Sequence, residues 1–240
     1  MITITNVETY GWEEAIRGMR NPMNSWDKSD SAFGRNLEIP YTQNNPTTML
    51  DKYGIETYIG DNDLDLMKRL VKAGTDHRKF MRMITVSCDI TAPLYWWKEF
   101  DTYKVGTVAN SCSTMHKIQA KEFTLDDFSC EHLFGLEDEP FMVTVSSDGT
   151  KLSPLGLMAD VIKMLNGCRE KYIETKNKDY WWQMIQLLPS SYNQKRTVML
   201  NYEVLANMYK SRKGHKLDEW HAFCDWIEEL PYSELITGEN

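Results

Sequence analysis

Residues 92–116 read APLYWWKEFDTYKVGTVANSCSTMH, and the rest of the chain is organised around this stretch. Its first half predicts a helix, because Pro93 suits a first helical turn. Apolar and aromatic side chains then recur at helical spacing, at Leu94, Trp97, Phe100 and Tyr103/Lys104. The second half, from Gly106 to Thr114, is small and polar. Adaptable polar groups just beyond a packed helix are typical of functional sites, although a helix running into an ordinary turn would give the same pattern.

The composition limits the class of protein. A chain of 240 residues suits one large domain or two small ones, and 42% apolar with 26% charged residues is ordinary for a soluble globular protein. The net charge of −8 argues against general nucleic-acid binding, which needs a basic surface. A single Arg with backbone N–H groups can still hold one small anion. The sequence has no long continuous apolar window, so we expect no membrane span.

Cysteine and histidine usage excludes several kinds of site. The five cysteines are odd in number and lack Cys-x-x-Cys spacing, which indicates reduced thiols and a cytoplasmic protein. The N-terminus lacks a basic region followed by an apolar run, so no secretory signal is predicted. His215 and His221 are poorly spaced for sharing a metal on a helix, and no metal site is predicted. Walker and dinucleotide phosphate loops, GxSxG and HExxH are absent from the sequence.

Hydrophobic periodicity predicts the elements along the chain. Alternation predicts strands at 1–7, 84–90 and 141–147. Helical spacing predicts helices at 11–19, 61–73, 155–173, 181–188, 198–211 and 217–230. In the helix at 155–173, the side chains expected to face the core are Leu157, Val161, Met164/Leu165 and Cys168. The segments 20–49 and 123–139 are interpreted as loops. One α+β domain over 1–240 is predicted, with a mixed or antiparallel sheet packed by long helices.

Two polar groups are candidates for chemistry. The first is Asn110-Ser111-Cys112-Ser113-Thr114, where a cysteine beside a helix end could act as a nucleophile. The alternative is that Cys112 is a small buried residue. The second group contains Asn201, Asn207, Arg212, His215 and Glu219. Arg212 and His215 lie three apart, on one side of a helix, and the Arg could fork onto a phosphate or a pyrimidine carbonyl. A solvated helix C-terminus, which favours cations, is the alternative.

The order of these features resembles the flavin-dependent thymidylate synthase family from about residue 61 to residue 236. The stretch from Gly74 to Pro93 is similar to the family's approach to its signature helix. The C-terminal half is more similar, because the family has Leu-Pro, an Asn twelve residues after the Pro, a second Asn, an Arg, a His and a Glu. This chain has Leu188-Pro189, Asn201, Asn207, Arg212, His215 and Glu219, with the Arg-to-His gap one residue shorter.

The chain departs from the family pattern at its cations. The family signature is Arg-His-Arg, seven residues and a Ser, and a gapless overlay places Thr102-Tyr103-Lys104 and Cys112 on it. A one-residue slip would give the place of the Ser to Ser111 or Ser113. Other family positions fall on Asn110 (a Glu in the family) and on Thr114, Ile185 and Glu203 (each an Arg). Losing several cations weakens phosphate and diphosphate binding, since each charge-assisted bond contributes about 1.5–3 kcal/mol.

The resemblance implies an enzyme that moves a one-carbon unit from methylenetetrahydrofolate to C5 of dUMP or a related pyrimidine nucleotide. It implies FAD as cofactor, with NADPH and the folate as co-substrates, in a homotetramer whose sites lie between subunits. Two alternatives remain open. One is a nucleotide C5-hydroxymethylase, and the other is a non-flavin relative that binds a pyrimidine nucleotide without thymidylate synthase activity.

The resemblance also implies roles for named residues. Arg212 would be catalytic by stabilising negative charge on the pyrimidine, and Ser111, Cys112 or Ser113 would polarise or position the base. Substrate contacts are expected at Glu99, Asn110, Thr114 and Arg212. Flavin contacts are expected at Thr102, Tyr103, Lys104, Asn201, Asn207 and His215. The hypothesis as a whole predicts that the polar stretch after the tryptophan-rich helix and Arg212 cradle one pyrimidine.

Overall fold

The computed structural model describes residues 1–38, 48–135, 137, 143–144, 149 and 151–238. Its helices are α1 (Trp12–Arg20), α2 (Asp61–Lys72), α3 (Leu94–Phe100), α4 (Pro154–Thr175), α5 (Lys178–Leu187), α6 (Tyr202–Arg212), α7 (Asp218–Glu228) and α8 (Glu234–Thr237). Its strands are β1 (Thr3–Tyr10), β2 (Ala32–Gly34), β3 (Met49–Leu50), β4 (Glu56–Tyr58), β5 (Thr85–Pro93), β6 (Val108–Ser111), β7 (Val143–Thr144), β8 (Lys151–Leu152) and β9 (Asn193–Asn201).

The strands form three sheets. The largest has four strands in the order β1-β5-β9-β6, so its neighbours are distant in sequence. A three-stranded antiparallel sheet, β2-β4-β3, pairs Ala32 with Tyr58 and Met49 with Thr57. β7 and β8 form an antiparallel pair. The predicted α+β fold class, with an antiparallel sheet and long helices, is confirmed.

The chain divides into two compact units. The first unit comprises Met1–Thr3, Thr91–Phe100 and Ser111–Arg196, and the second comprises Ile4–Ile90, Asp101–Asn110 and Thr197–Asn240. The prediction of one domain over residues 1–240 stays a prediction. No helix within the described ranges has both the length and the apolar character that crossing a membrane requires.

The core of the first unit is aromatic. Trp96, Trp97 and Phe100 of α3 are buried, and the Trp97 ring stands edge-on to Phe100 with centroids 5.0 Å apart. A second cluster is made by Ile118, Phe123, Phe128, Leu165 and Met184. Side chains on α4 and α5 contribute to this cluster, and it buries the apolar side on which the two helices contact each other.

The inward face predicted for α4 is partly wrong. Leu165 is fully buried, but Leu157 is 54% exposed and Met164 is 58% exposed. The helix itself forms as predicted, because Ser153 caps it and Pro154 opens its first turn. α5 packs along one side of α4, so apolar side chains away from that side stay in contact with solvent.

The core of the second unit lies between the C-terminal helices and α1. Tyr202, Leu205 and Met208 of α6 are buried, and Trp12 of α1 stands edge-on to Tyr202 at 5.3 Å. The Tyr202 hydroxyl donates to the carbonyl of Pro231 at 2.5 Å. The predicted helices at 11–19, 61–73 and 217–230 and the strand at 84–90 are confirmed with small changes of boundary.

Two helix predictions are wrong at one end. Residues 198–201 belong to β9, in which Val198 and Leu200 are buried and Met199 is exposed, so the helix starts at Tyr202. α3 ends at Phe100, before Tyr103 and Lys104, and Pro93 is the last residue of β5. In both places a strand and a helix adjoin, and their combined apolar residues imitate one helical period. Of the strand predicted at 141–147, the pair Val143–Thr144 is a strand and the other residues lie outside the described ranges.

A buried carboxylate in the second unit holds the described part of the predicted loop at 20–49. Asp63 of α2 is 0% exposed and accepts hydrogen bonds from Arg20 Nε at 2.6 Å, Ser29 Oγ at 2.6 Å and Ser31 Oγ at 2.7 Å. Asp30 in the same loop accepts from the N–H groups of Asn62 and Asp63, at the N-terminus of α2. Residues 39–47 lie outside the described ranges.

The Asp63 contacts predict a pH-dependent stability. Burial alone would raise the pKa of Asp63, but the hydroxyls of Ser29 and Ser31 and the charge of Arg20 outweigh it, so the pKa lies below its ordinary value of 3.8. The stabilisation is therefore present above about pH 4 and is lost as the pH falls through the folded-state pKa. Asp63→Asn should lower the free energy of unfolding at pH 7 by about 3–5 kcal/mol, because it leaves Arg20 buried and unpaired.

Urea unfolding of wild type and variant at pH 7 and at lower pH measures this. Asp65→Asn is the matched control, since Asp65 is exposed on the same helix and pairs with its exposed neighbour Arg69; its effect should stay below about 1 kcal/mol. If the two variants lose equal free energy of unfolding, or if the loss in Asp63→Asn does not become smaller in acid, the stabilisation does not come from the ionised Asp63.

Candidate functional site

Arg212, the last residue of α6, lies among aromatic side chains in the second unit. Its Nε donates to the Tyr103 hydroxyl at 3.0 Å. The guanidinium carbon is 4.6 Å from the ring centroid of Trp220 and 5.5 Å from that of Tyr103. A planar guanidinium is favoured over such ring faces, and each contact restricts its rotation. Arg212 is therefore a cation with a defined orientation.

His215 joins the same group of side chains. The His215 ring is 6.3 Å from Trp220 between centroids, and its backbone N–H donates to the Arg212 carbonyl at 2.9 Å. Trp220, fully buried on α7, is thus the centre around which Tyr103, Arg212 and His215 are held. We call these four residues the Arg212 cluster. From the sequence, Trp220 is predicted only as an inward side chain of the last helix. Helical spacing predicts that it is buried, but does not indicate that Arg212 lies over its ring.

Asn201 lies where β9 passes into α6, close to Gly106. Its side-chain oxygen accepts a hydrogen bond from the Val204 N–H at 2.9 Å and so caps α6. Gly106 has a φ of +78°, and a Cβ there would lie 2.7 Å from Asn201 Nδ2. The cap uses one acceptor position of the amide oxygen, so a flavin contact of Asn201 would use its NH2 group or the second lone pair of that oxygen.

The other predicted site residues of the second unit lie on its surface. Asn110 on β6, Asn207 on α6, and Thr102 and Lys104 after α3 are exposed. The structure therefore brings together Tyr103, Arg212 and His215 out of this predicted set. Glu99, a predicted substrate contact, belongs to α3 in the first unit and is half-buried.

In the first unit, Cys112, Ser113 and Thr114 line a pocket of about 320 Å³. The other lining residues are Thr91, Lys121, Asp126, Asp127, Tyr192, Asn193, Gln194 and Lys195. The side chains are mostly polar and of both charges. Cys112 is exposed, so the alternative that it is a small buried residue is wrong. Ser111, at the end of β6, is exposed as well.

The backbone of Cys112 is tied to the beginning of β9. Its N–H donates to the Lys195 carbonyl at 2.9 Å, and its carbonyl accepts from Gln194 Nε2 at 2.8 Å. Gln194 is buried, and its side-chain oxygen accepts from Arg196 Nε at 3.0 Å. The guanidinium of Arg196 lies 4.1 Å from the ring centroid of Trp97. This chain of contacts fixes the position of Cys112 from the aromatic core outward.

The hydroxyl of Ser113 is used locally. It accepts from the N–H of His116 at 2.9 Å and from that of Met115 at 3.2 Å, and lies 3.0 Å from His116 Nδ1. These bonds form a small turn after Cys112. Ser113 is therefore less available to a ligand than the exposed thiol of Cys112.

At two positions the resemblance expects an Arg, but this chain has Ile185 and Glu203, whose side chains contact other parts of the protein. In the first unit, Ile185 packs against the cluster of Phe128, Leu165 and their neighbours. In the second unit, Glu203 is buried and forms an ion pair with Arg78, whose Nε lies 2.9 Å from Glu203 Oε2. Neither position presents a cation to a phosphate.

The two predicted halves of the site belong to different compact units. Cys112, Ser113 and Thr114 are in the first unit, and Arg212 is in the second. The prediction that these groups cradle one pyrimidine stays a prediction. Within the described part of the chain, no three His, Cys, Asp or Glu side chains are grouped as metal ligands would be.

Comparison with known proteins identifies the fold of this chain. No protein-family model and no curated protein matches the sequence. Thymidylate synthase X from Helicobacter pylori, solved with FAD and dUMP, superimposes with a TM-score of 0.62 at 15% identity, covering 99% of this chain and 98% of that one. PolB, a UMP/dUMP methylase from Streptomyces cacaoi solved with 5-bromo-dUMP, gives a TM-score of 0.56 at 13% identity. The superposition covers 99% of this chain and 95% of PolB. The chain has the fold of the flavin-dependent thymidylate synthases, so the resemblance is confirmed at the level of the fold.

The close approach of Gly106 to Asn201 predicts a strict glycine requirement. In Gly106→Ala the new methyl would meet Asn201 Nδ2, and also Val204 Cγ2 at 2.9 Å, in a backbone conformation that L-residues avoid. We expect a loss of more than about 1 kcal/mol of unfolding free energy. Gly54→Ala is the control, because Gly54 has a φ of +76° with nothing within 4 Å of the added Cβ. Chemical denaturation of both variants measures the difference. Equal losses of unfolding free energy would show that the added methyl at position 106 does not clash with Asn201.

Proposed function

We propose that this protein, on a fold shared with the flavin-dependent thymidylate synthases, is an enzyme that modifies pyrimidine nucleotides. It would transfer a one-carbon unit from methylenetetrahydrofolate to C5 of dUMP or a related nucleotide. The observation that carries the proposal is the Arg212 cluster. Tyr103 and Arg212 are 109 residues apart in sequence, the resemblance implies one site for both, and they share a hydrogen bond in the second unit.

The role proposed for Arg212 follows from its surroundings. Reaction at C5 of a pyrimidine moves negative charge onto the ring carbonyl oxygens, and a cation already in place lowers the energy of that state. The Tyr103 hydroxyl and the Trp220 ring hold the guanidinium before a substrate arrives. Little conformational freedom would therefore be lost when Arg212 meets its ligand.

FAD is the cofactor that the resemblance implies, and the residues present fit it poorly at its diphosphate end. Ile185 and Glu203 are committed to packing and to an ion pair. In the segment 102–104, Lys104 alone carries a positive charge. When bound, FAD reduced by NADPH would supply the two electrons that turn the transferred carbon into a methyl group.

The missing cations favour a second candidate, a nucleotide C5-hydroxymethylase. Transfer of the methylene carbon to C5 with capture of water gives a hydroxymethyl group and tetrahydrofolate. This reaction needs neither flavin nor NADPH, because no net oxidation or reduction occurs. The buried pair of Glu203 with Arg78, at a position where the resemblance expects an Arg, is the observation that favours it. The same feature favours a relative that binds the nucleotide without reacting.

One experiment separates these candidates. The purified protein is examined for flavin absorbance, then incubated with dUMP and methylenetetrahydrofolate, with and without FAD and NADPH, and the nucleotides are analysed by mass spectrometry. A yellow protein and a methylated product that requires NADPH support thymidylate synthase activity. A hydroxymethylated product without flavin supports the second candidate. A protein that neither binds dUMP by calorimetry nor gives either product would refute the proposed function.

The homotetramer, which the resemblance implies, and the cytoplasmic location, which the cysteine usage indicates, remain proposals. Light scattering coupled to size-exclusion chromatography measures the first directly. It also shows whether nucleotide changes the assembly.

Arg212 provides a test at the level of one side chain. Arg212→Gln keeps an N–H donor but loses the charge and shortens the side chain, and should weaken dUMP binding about tenfold or more, since a charge-assisted bond contributes about 1.5–3 kcal/mol. Arg212→Lys should retain part of the affinity, because the charge stays while the planar fork is lost. Lys210→Gln, exposed on the same helix, is the control. Calorimetry with dUMP measures all three, and an unchanged affinity in Arg212→Gln would remove this residue from the site.

A further inference from the structure

The turn between α6 and α7, residues 213–217, follows directly on Arg212 and carries His215. It lies at the surface of the second unit, where Lys213, Gly214 and Lys216 are exposed. Nothing lies within 4 Å of the place that a Cβ of Gly214 would take. Side-chain packing at this glycine therefore does not fix the course of the turn, and the position of His215 depends on its hydrogen bonds.

The backbone of His215 is hydrogen-bonded on both sides. Its N–H donates to the Arg212 carbonyl at 2.9 Å, and its carbonyl lies 2.6 Å from Nε2 of His221. Because a carbonyl oxygen only accepts, Nε2 of His221 is the donor at this contact. The other ring nitrogen of His221 lies 3.9 Å from Asp218 Oδ1. Protonation of His221 would therefore add an attraction to Asp218 and keep the bond to His215.

His221 connects the turn to a helix that is firmly packed. It lies in the first turn of α7, next to the fully buried Trp220. The Trp220 N–H donates to the Leu217 carbonyl at 3.0 Å, at the end of the turn. The hydrogen bond of His221 therefore holds the middle of the turn to the same helix that carries the central ring of the Arg212 cluster.

The ring of His215 is oriented within the turn as well. Its Nδ1 accepts a hydrogen bond from the Leu217 N–H at 3.2 Å. A nitrogen that accepts is unprotonated, so the neutral ring carries its proton on Nε2. The ring centroid lies 6.3 Å from that of Trp220. The turn thus makes His215 a hydrogen-bond donor at Nε2, beside the guanidinium of Arg212.

The same turn also supports Arg212 itself. Arg212 is the last residue of α6, where the backbone carbonyls have no partner further along the helix. Its carbonyl accepts from the His215 N–H instead. Helix ends fray, and a displaced His215 would release the end of the helix that bears the guanidinium.

We propose that His221 is a positioning residue of the Arg212 cluster. Through the carbonyl of His215 it holds the α6–α7 turn, so that His215 presents its Nε2 proton and Arg212 keeps its place at the end of α6. The proposal rests on the proposed function, from which the cluster takes a pyrimidine nucleotide as ligand. It adds a residue to which the resemblance gives no role.

Calorimetric titration of the full chain with dUMP tests this role. His221→Leu removes the donor and keeps an apolar side chain of moderate size, so the affinity should fall about three- to tenfold, as for the loss of one hydrogen bond. His221→Gln keeps an N–H donor and should stay within about twofold of wild type. Asp225→Leu is the matched control, because it places the same apolar side chain at an exposed position one turn further along α7. It should leave the affinity unchanged.

Nitrogen NMR of protein labelled with 15N-histidine gives a second measurement, which needs no ligand. His215→Gln identifies the His215 signals among those of the five histidines. At alkaline pH, where histidine rings are neutral, wild type should show His215 protonated at Nε2 and unprotonated at Nδ1. In His221→Leu the signals should shift toward a mixture of the two tautomers, and in His221→Gln they should resemble those of wild type.

The outcomes separate this inference from the proposed function. If wild type binds dUMP and His221→Leu binds it equally well, the positioning role is overturned while the proposed function stands. If His221→Leu and His221→Gln lose equal affinity, or if wild-type His215 carries its proton on Nδ1, the hydrogen bonds do not act as described and the inference is again overturned. If wild type binds no dUMP, both fall. Thermal unfolding midpoints equal to that of wild type show that the variants are folded.

Discussion

A single hydrogen bond, from the N–H of Val204 to the side-chain oxygen of Asn201, fixes the geometry of the second unit's C-terminal part. It marks the residue at which β9 stops and α6 starts. α6 runs from there to its last residue, Arg212. The cation therefore reaches Tyr103 and Trp220 because an amide eleven positions earlier has ended the strand. The glycine at 106 gives that amide the space it needs.

The sequence alone was sufficient to predict a helix or strand where one hydrophobic period extended through the whole segment. α1, α7 and β5 each bury a regular stripe of side chains, and their patterns predicted them. The pattern of α2 predicted the helix as well, and Met67 of its apolar face is buried. The sequence was insufficient where a strand leads into a helix, as at Leu200 and Tyr202, because apolar residues on both sides of the junction fit a single helical repeat. The polar Asn201 was the available signal, since asparagine is a preferred N-cap. The resemblance instead implies a flavin contact for this residue.

The candidate site likewise contains residues that the sequence predicted and residues that only the structure reveals. Tyr103, Arg212 and His215 could be named from a resemblance in the order of residues along the chain. Lys121, Asp127 and Tyr192 could not, because tertiary packing brings Tyr192 to the capped turn at Thr124. The sequence offers one indication, a Thr followed three residues later by an Asp, which is typical of a capping box. That pattern predicts a turn and says nothing about what the turn lies beside.

Two positions at which the resemblance expects a cation hold side chains with other partners in this protein. Ile185 adds apolar surface to a cluster that already contains Phe128 and Leu165. Glu203 forms an ion pair with Arg78, so its burial carries no unpaired charge. A scaffold can thus keep its architecture while its affinity for phosphate groups changes, since architecture depends on burial and pairing and ligand affinity depends on unpaired charge at the right place.

The exposure of Cys112 has a practical consequence. Cys88 and Cys224 are buried, and Cys130 and Cys168 are partly covered, so the five thiols differ in their access to solvent. A maleimide dye added in limiting amount would attach first to Cys112, at the wall of the pocket. Its fluorescence would then respond to whatever occupies that space. The native chain thus offers a position for an optical reporter without an engineered attachment site.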